Sequence, residues 1–204
     1  GANERLTHAM NSLAQPRGSG RLSVEEFLAF ISVRPSEERW ELIDGVAYMM
    51  TPPTLKHQAV ARNLAFELNT HFRSRQMALS AFHEIGLIVP EVERFRPKAD
   101  VAVLDDAMDL ETNYADRFHL VAEVRSDSNT DHEIELKRVR YLLQPANLHC
   151  LVISQTEVKV EHWSRRTGWQ RTELNRLDQS IELPEWDLSI PLSAVYKGTA
   201  LARG

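Results

Sequence analysis

The chain has 204 residues, 43% of them hydrophobic and 26% charged, which is enough to bury a complete core within one globular domain. It has no apolar run long enough to cross a bilayer and no secretory signal, and its single cysteine, Cys150, excludes an internal disulfide, so we expect no membrane contact and a reducing, cytoplasmic setting. The net charge of −5 excludes a broadly basic surface of the kind that binds nucleic acid, so any such surface must be local.

The first part of the chain predicts a tail and then a short helix. Residues 1–20 end in a turn-rich segment and show no periodic pattern, which is typical of a tail. Ser23 and Glu26 form a capping-box pattern that predicts an amphipathic helix over 23–33. We expect one domain over residues 21–197 and a C-terminal tail over 198–204.

A hairpin and a long helix follow. Asp44-Gly45 is a typical two-residue turn and predicts a hairpin over 40–50, with Glu41 on its first strand. Glu41 either faces solvent or joins a site. Apolar residues at helical spacing predict a helix over 54–76. His57 lies at its start on the apolar stripe, where a histidine is more often a core residue than a ligand.

Two short apolar strands each carry one acid. Residues 99–104 form a strand that contains Asp100, and residues 118–126 form a strand that contains Glu123. Glu123 shares one strand face with Val121. The other face is apolar and consists of Leu120, Ala122 and Val124. Burial of an unpaired carboxylate costs several kcal/mol, so a cation must compensate Glu123.

The next segment, 131–143, predicts a helix with acids in its first turn and basic residues later. Its main apolar stripe is predicted to consist of Leu136, Val139 and Leu143. Lys137 shares a second, partly apolar face with Ile134 and Tyr141. Spacing allows Lys137 to point toward the strand ends or to pair with Glu133 on the helix surface.

Three further strands are predicted over 148–154, 157–163 and 169–174, followed by an extended C-terminal segment. The order of helices and strands predicts an α/β fold with a mixed central β-sheet flanked by helices.

The two acids together have a chemical interpretation that neither has alone. Asp100 by itself could cap a turn, and Glu123 by itself could pair with an arginine. Two carboxylates on two strands offer the oxygen ligands that Mg²⁺ or Mn²⁺ prefers. A metal site that includes Asp100 and Glu123 is therefore the sharper hypothesis.

Several segments, in this order and spacing, resemble the Uma-type restriction endonuclease family, a branch of the PD-(D/E)xK nuclease superfamily. They are the E-L-I-D-G hairpin at 41–45, the P-x4-H helix start at 52–57, the acid Asp100 after Pro97, the E-V-x-S strand at 123–126, the D-x5-K-x3-Y helix at 131–141 and the strand at 148–153. The resemblance covers residues 21–196 and implies a restriction-endonuclease-like core.

The resemblance also implies a function. It implies a divalent-metal-dependent endonuclease that hydrolyses phosphodiester bonds in DNA, works as a homodimer and uses Mg²⁺ or Mn²⁺. Asp100 and Glu123 match the family's metal-binding acids, and the Val124 backbone carbonyl would complete the metal site. Lys137 matches the catalytic lysine, which in this family lies on the helix. Glu41 is an acid that could join the metal site.

The supporting candidates are His57, Arg125 and Tyr141. Ala99 stands where the superfamily has proline, and Arg125 stands where it has lysine. Arginine stays charged, so Arg125 could stabilise charge on phosphate but could not act as a base. Two alternatives therefore remain: a catalytically inactive nuclease fold that serves as a binding or regulatory module, and a structural domain without metal.

Overall fold

A computed structural model describes residues 20–125 and 131–203. The predicted N-terminal tail lies outside these residues except for Gly20, as does Ser126 of the E-V-x-S segment. The division into a domain at 21–197 and two tails stays a prediction. Residues Ala200–Arg203 form a short 3-10 helix, and Thr199 before it is buried.

The predicted capping box begins the first helix, α1 (Val24–Ser32). The Ser23 side chain accepts a hydrogen bond from the Glu26 backbone, and the Glu26 side chain accepts one from the Ser23 backbone. The predicted hairpin follows as β1 (Trp40–Ile43) and β2 (Val46–Met49), which pair antiparallel. Asp44 and Gly45 both have positive φ, as a tight hairpin turn requires.

The main sheet is mixed. Within residues 20–125 and 131–203 it has seven strands in the order β5-β3-β4-β6-β7-β8-β9. Their bounds are β3 (Leu79–Leu87), β4 (Lys98–Asp105), β5 (Tyr114–Ala115), β6 (Leu120–Val124), β7 (His149–Ile153), β8 (Val160–Ser164) and β9 (Arg171–Leu174). The β3–β5 and β6–β7 pairs are parallel, and the other neighbours are antiparallel.

Helices cover both faces of this sheet. Successive strand residues point to opposite faces, so neighbouring positions on one strand pack against different helices. Val101 and Ala122 face the long helix α2 (Leu55–Ser74), whose buried side is apolar. Ala102 and Val121 face the other helix, α3 (Asp131–Tyr141). The predicted α/β fold with a mixed central sheet flanked by helices is confirmed.

The predicted main apolar stripe of α3 is wrong for Val139 and Leu143, whereas Leu136 is partly buried and packs against the core. Val139 and Leu143 are 45% and 53% exposed. The buried face is instead the second one, which consists of Ile134, Lys137 and Tyr141. The physical reason lies in the sheet beneath α3, which contains the buried acid Glu123. This carboxylate is stabilised by polar partners, and Lys137 and Tyr141 provide them.

The C-terminal segment forms more structure than the predicted extended chain. Its elements are β10 (Ser180–Leu183), β11 (Leu188–Pro191) and the short helix α4 (Leu192–Val195). Strands β10 and β11 pair antiparallel, and their apolar residues join the core on the α2 side of the sheet. No helix in the described part of the chain combines the length and apolar character that a membrane span needs.

A buried histidine pair lies under this C-terminal segment. His149 Nδ1 is 2.8 Å from His162 Nε2, and His149 Nε2 is 2.6 Å from Glu185 Oε2. Burial, with an added contribution from His149, lowers the pKa of His162 from its usual 6.5 to about 4. The folded protein therefore holds His162 neutral at pH values where the unfolded chain takes up a proton.

This pair makes folding stability sensitive to acid. A group with a lowered pKa in the folded state contributes stability that is present above pH 6.5 and is lost as the pH falls toward 4. We expect the free energy of unfolding to fall by up to about 3 kcal/mol over that range because of His162. Urea denaturation at several pH values measures it, with His162→Gln as the comparison. An equally steep loss in His162→Gln would assign the effect to other groups.

Candidate active site

The two predicted metal-binding acids lie side by side at the ends of two neighbouring strands. Val101 pairs with Ala122 in the antiparallel β4–β6 ladder, so Asp100 lies beside Glu123 one residue further along. Glu123 contacts Lys137 and Tyr141 of α3, whereas Asp100 contacts His57 at the start of α2. Asp100 and Glu123 are 7% and 4% exposed, respectively. Asp100 Oδ2 accepts a hydrogen bond of 2.6 Å from the Val124 backbone N–H.

Lys137 is the cation that the buried acid requires. Its Nζ lies 2.7 Å from Glu123 Oε1 and 2.9 Å from Glu41 Oε2, and it donates to the Lys98 carbonyl at 3.0 Å. Lys137 is 4% exposed. Of the two orientations that the spacing allowed, the structure therefore has the one toward the strand ends.

Tyr141 holds the same acid from one helical turn further on. Its hydroxyl donates to Glu123 Oε1 at 2.7 Å, and its ring packs against those of Phe95 and Phe118. Burial and the charge of Glu123 raise the pKa of Tyr141 well above 10, so the hydroxyl keeps its proton and remains a donor. Tyr141 thereby fixes the orientation of the Glu123 carboxylate.

The β1–β2 hairpin adds a third acid to the cluster. The backbone of Leu42 exchanges two hydrogen bonds with that of Arg96, which fixes the hairpin beside the start of β4. Glu41 Oε2 consequently accepts from both the Lys98 backbone N–H and Lys137. Of the two alternatives for Glu41, the structure has the buried one, at 9% exposure.

His57 reaches the cluster from the start of α2. Thr54 caps this helix, and His57 Nε2 lies 3.4 Å from Asp100 Oδ2. Burial alone lowers the pKa of His57, but the hydrogen bond and charge of Asp100, with a hydrogen bond to the Val124 backbone, raise it overall. The imidazole thus contacts two of the groups predicted to bind metal, so His57 is more than an apolar-stripe residue.

Arg125 is directed elsewhere. Its guanidinium lies 3.3 Å from Glu161 on β8, and Glu161 also pairs with Arg171. These contacts tie the end of β6 to the neighbouring antiparallel strands. Sequence reasoning missed Glu161 as the partner, because nothing in the spacing of residues 125 and 161 relates them before the sheet forms.

The electrostatic balance of the cluster is negative. Burial raises the pKa of Glu123, Lys137 opposes this increase, and the charges of Asp100 and Glu41 add to it. Burial lowers the pKa of Lys137, but the surrounding carboxylates outweigh this and raise it, so Lys137 stays charged. The cluster consequently favours any additional positive charge, whether a proton or a metal ion.

Two carboxylate oxygens are available for such a charge. The contacts described above use Asp100 Oδ2 and Glu123 Oε1, whereas Asp100 Oδ1 and Glu123 Oε2 form no hydrogen bond with the described residues. Among those residues, no group of three or more His, Cys, Asp or Glu side chains forms a complete metal cage. Mg²⁺ commonly takes one or two carboxylates and fills its other positions with water and phosphate oxygens, so the free oxygens of Asp100 and Glu123 are the candidate ligands for such an ion.

A cleft opens onto this cluster. Its volume is about 1010 Å³, and Asp100 and His57 both line it. Basic residues contribute to its walls, namely Arg39, Lys56 and Arg62. The C-terminal residues 198–200 also line it. Sequence reasoning missed this contribution, because no motif connects the C-terminus to the acids.

Comparison with known proteins identifies a similar structure and a family. The structure is similar to the crystal structure of a putative nuclease from Anabaena variabilis, with a TM-score of 0.72 and 15% sequence identity over 86% of this chain and 97% of that one. The two proteins therefore share a fold. No curated protein matches the chain.

The family follows from the sequence match. The model of the Uma2 family, whose description is "Putative restriction endonuclease", matches residues 24–193. The chain belongs to this family, and the predicted resemblance is confirmed.

The contacts of Lys137 lead to a prediction about stability. Lys137→Met leaves Glu41 and Glu123 buried without their cation, which we expect to lower the free energy of unfolding by about 3–5 kcal/mol. Addition of Glu123→Gln should recover part of this loss, because one uncompensated charge disappears. Urea denaturation at neutral pH measures both variants.

The matched control is Lys159→Met. Lys159 is partly exposed just before β8 and pairs with Glu157 and Glu173 at 4.0 and 3.9 Å, so its loss should cost less than about 1 kcal/mol. Equal losses in the two lysine variants would contradict a special electrostatic role for Lys137.

Proposed function

We propose that this protein is a divalent-metal-dependent nuclease that hydrolyses phosphodiester bonds in DNA. The observation that supports this most strongly is the adjacent placement of Asp100 and Glu123 with the buried Lys137 between Glu123 and Glu41. Membership of a family described as restriction endonucleases agrees with that chemistry.

The metal ligands in this proposal are the free oxygens of Asp100 and Glu123 and the backbone carbonyl of Val124. They suit Mg²⁺ or Mn²⁺, which bind carboxylate and carbonyl oxygens together with water and substrate phosphate. A divalent ion bound there supplies charge neutralisation at the phosphate and a lower pKa for a coordinated water. His57, which already contacts Asp100 and Val124, supports the ligands from the cleft side.

The protein's own side chains have distinct roles in this proposal. Lys137 stays protonated because its pKa is raised, so it orients the attacking water and stabilises the negative charge that builds on the phosphate, and it does not act as a base. Tyr141 keeps Glu123 in one orientation through its 2.7 Å hydrogen bond. Glu41 also pairs with Lys137, at 2.9 Å.

A homodimer and a reducing, cytoplasmic setting also remain part of the proposal. The homodimer follows from the resemblance to restriction-type enzymes, which cut two strands. The reducing setting follows from the single cysteine, Cys150, which is buried as a free thiol.

The alternative is a catalytically inactive nuclease fold that serves as a binding or regulatory module. Arg125 occupies the position of the superfamily's strand lysine and pairs with Glu161, which favours a structural use of that position. The two candidates differ in whether the cluster binds metal and whether bound metal leads to cleavage.

Metal binding is the first test. We expect calorimetric titration with Mn²⁺ to show binding to the wild type and none to Asp100→Ala or Glu123→Ala, because each variant removes a ligand. The control is Asp178→Asn, which removes an acid that is 78% exposed and distant in sequence from the site. Absence of Mn²⁺ binding by the wild type, even with DNA present, would contradict the nuclease proposal.

Cleavage of plasmid DNA with Mn²⁺ separates the two candidate cations. Lys137→Met should reduce the cleavage rate by roughly 10²- to 10³-fold, the loss typical of removing one group that stabilises developing charge. Arg125→Met should retain most activity because Arg125 pairs with Glu161. Circular dichroism verifies that each variant is folded. A larger loss in Arg125→Met than in Lys137→Met would assign the catalytic role to Arg125 instead.

A further inference from the structure

The solvent-facing side of α2 carries local positive charge on a chain whose net charge is −5. Lys56, Arg62 and Arg73 are exposed and form no ion pair with any described residue. By contrast, the exposed residues Arg34 and Arg176 are each paired with an acid. Unpaired cations concentrated on one helix are free to bind an anion.

Exposed apolar side chains lie between these cations. Leu55 is 83% exposed and Phe66 is 64% exposed. Positions 55, 62, 66 and 73 fall on one helical face, since they are separated by seven, four and seven residues. We name this face the α2 stripe: Leu55, Arg62, Phe66 and Arg73. At 1.5 Å per residue, the stripe is roughly 27 Å long.

The α2 stripe is continuous with the candidate active site. Leu55 and Arg62 line the same cleft as Asp100. Phe66 lies one helical turn beyond Arg62 on the same face, and Arg73 lies two turns further. An extended polyanion in the cleft therefore has a direct path along α2.

The chemistry of the stripe indicates which form of nucleic acid fits it. Arginines bind phosphates, and an exposed aromatic ring stacks on a base whose face is open. In a duplex the bases are already stacked on each other, so Phe66 gains little from a paired strand. A second copy of this chain fits poorly, because it would bring two sets of unpaired cations together.

Building on the proposed function, we propose that the α2 stripe binds single-stranded nucleic acid next to the active site. Phe66 stacks on an unpaired base, and Arg62 and Arg73 bind phosphates on either side of it. The stripe thereby directs an unpaired strand or a frayed end into the cleft at Asp100.

The test is the binding of a fluorescein-labelled oligothymidylate, followed by fluorescence anisotropy in the presence of a chelator that prevents cleavage. Phe66→Ala should weaken binding by about tenfold, because the stacking of one base is lost. Phe66→Trp should bind as tightly as the wild type or more tightly. Position 66 is 64% exposed and tolerates both substitutions without a change in the core, which circular dichroism verifies.

Salt dependence separates the two kinds of contact. For single strands, the slope of log K against log salt concentration changes by about 0.7 for each phosphate contact. Arg62→Ala and Arg73→Ala should each reduce the steepness of that slope by this amount, whereas Phe66→Ala should leave it unchanged. The matched controls are Arg166→Ala, an exposed arginine between β8 and β9, and Val33→Ala, which is 82% exposed at the end of α1. Both controls should bind as the wild type does.

Three results would overturn this inference: unchanged oligothymidylate affinity in Phe66→Ala, tighter binding of a duplex of the same length than of the single strand, and loss of self-association in Phe66→Ala measured by sedimentation. None of these results would contradict the nuclease proposal, which depends on Mn²⁺ binding and cleavage at Asp100 and Glu123. Conversely, oligothymidylate binding that responds to Phe66 and the arginines as described, without any Mn²⁺ binding, would leave the inference standing and refute the nuclease proposal.

Discussion

The interaction on which the rest of the site depends is the neutralisation of Glu123 inside the protein. A carboxylate that is 4% exposed is costly unless a cation and hydrogen-bond donors surround it. Lys137 and Tyr141 meet this requirement from α3, so this helix presents a face with a lysine to the sheet and leaves Val139 exposed. The position of α3 and the geometry of the acids are therefore parts of one arrangement.

The same arrangement leaves the cluster short of positive charge. Lys137 pairs with both Glu41 and Glu123. Asp100 accepts a hydrogen bond from the Val124 backbone N–H and contacts the His57 Nε2 atom. A raised pKa for Glu123 is the electrostatic sign of that imbalance. A protein selected for stability alone would gain by replacing such a group with apolar residues. Its retention next to Asp100, which lines the cleft, agrees with the proposed site for a cation and a phosphate.

Charge is also distributed unevenly over the surface. The chain is acidic overall, yet Lys56 and Arg62 of α2 line the cleft and have no acidic partner among the described residues. Net charge describes the long-range field of a protein, whereas contact with phosphate depends on cations within a Debye length. An acidic composition and a local surface for nucleic acid are thus compatible.

The sequence by itself determined the elements, because their signals are local. The capping box at Ser23, the Asp44-Gly45 turn and the two acid-bearing strands follow from neighbouring residues, and the ordered motifs identified the family. Only the tertiary structure decided which face of α3 is buried, that Glu41 joins the site and that Arg125 pairs with Glu161. These depend on partners on other strands, namely Glu123 and Glu41 for Lys137 and Glu161 for Arg125. The spacing of apolar residues along a helix predicts which face can bury apolar area. It gives no information about a charged residue, such as Glu123, that lies on a strand beneath that helix.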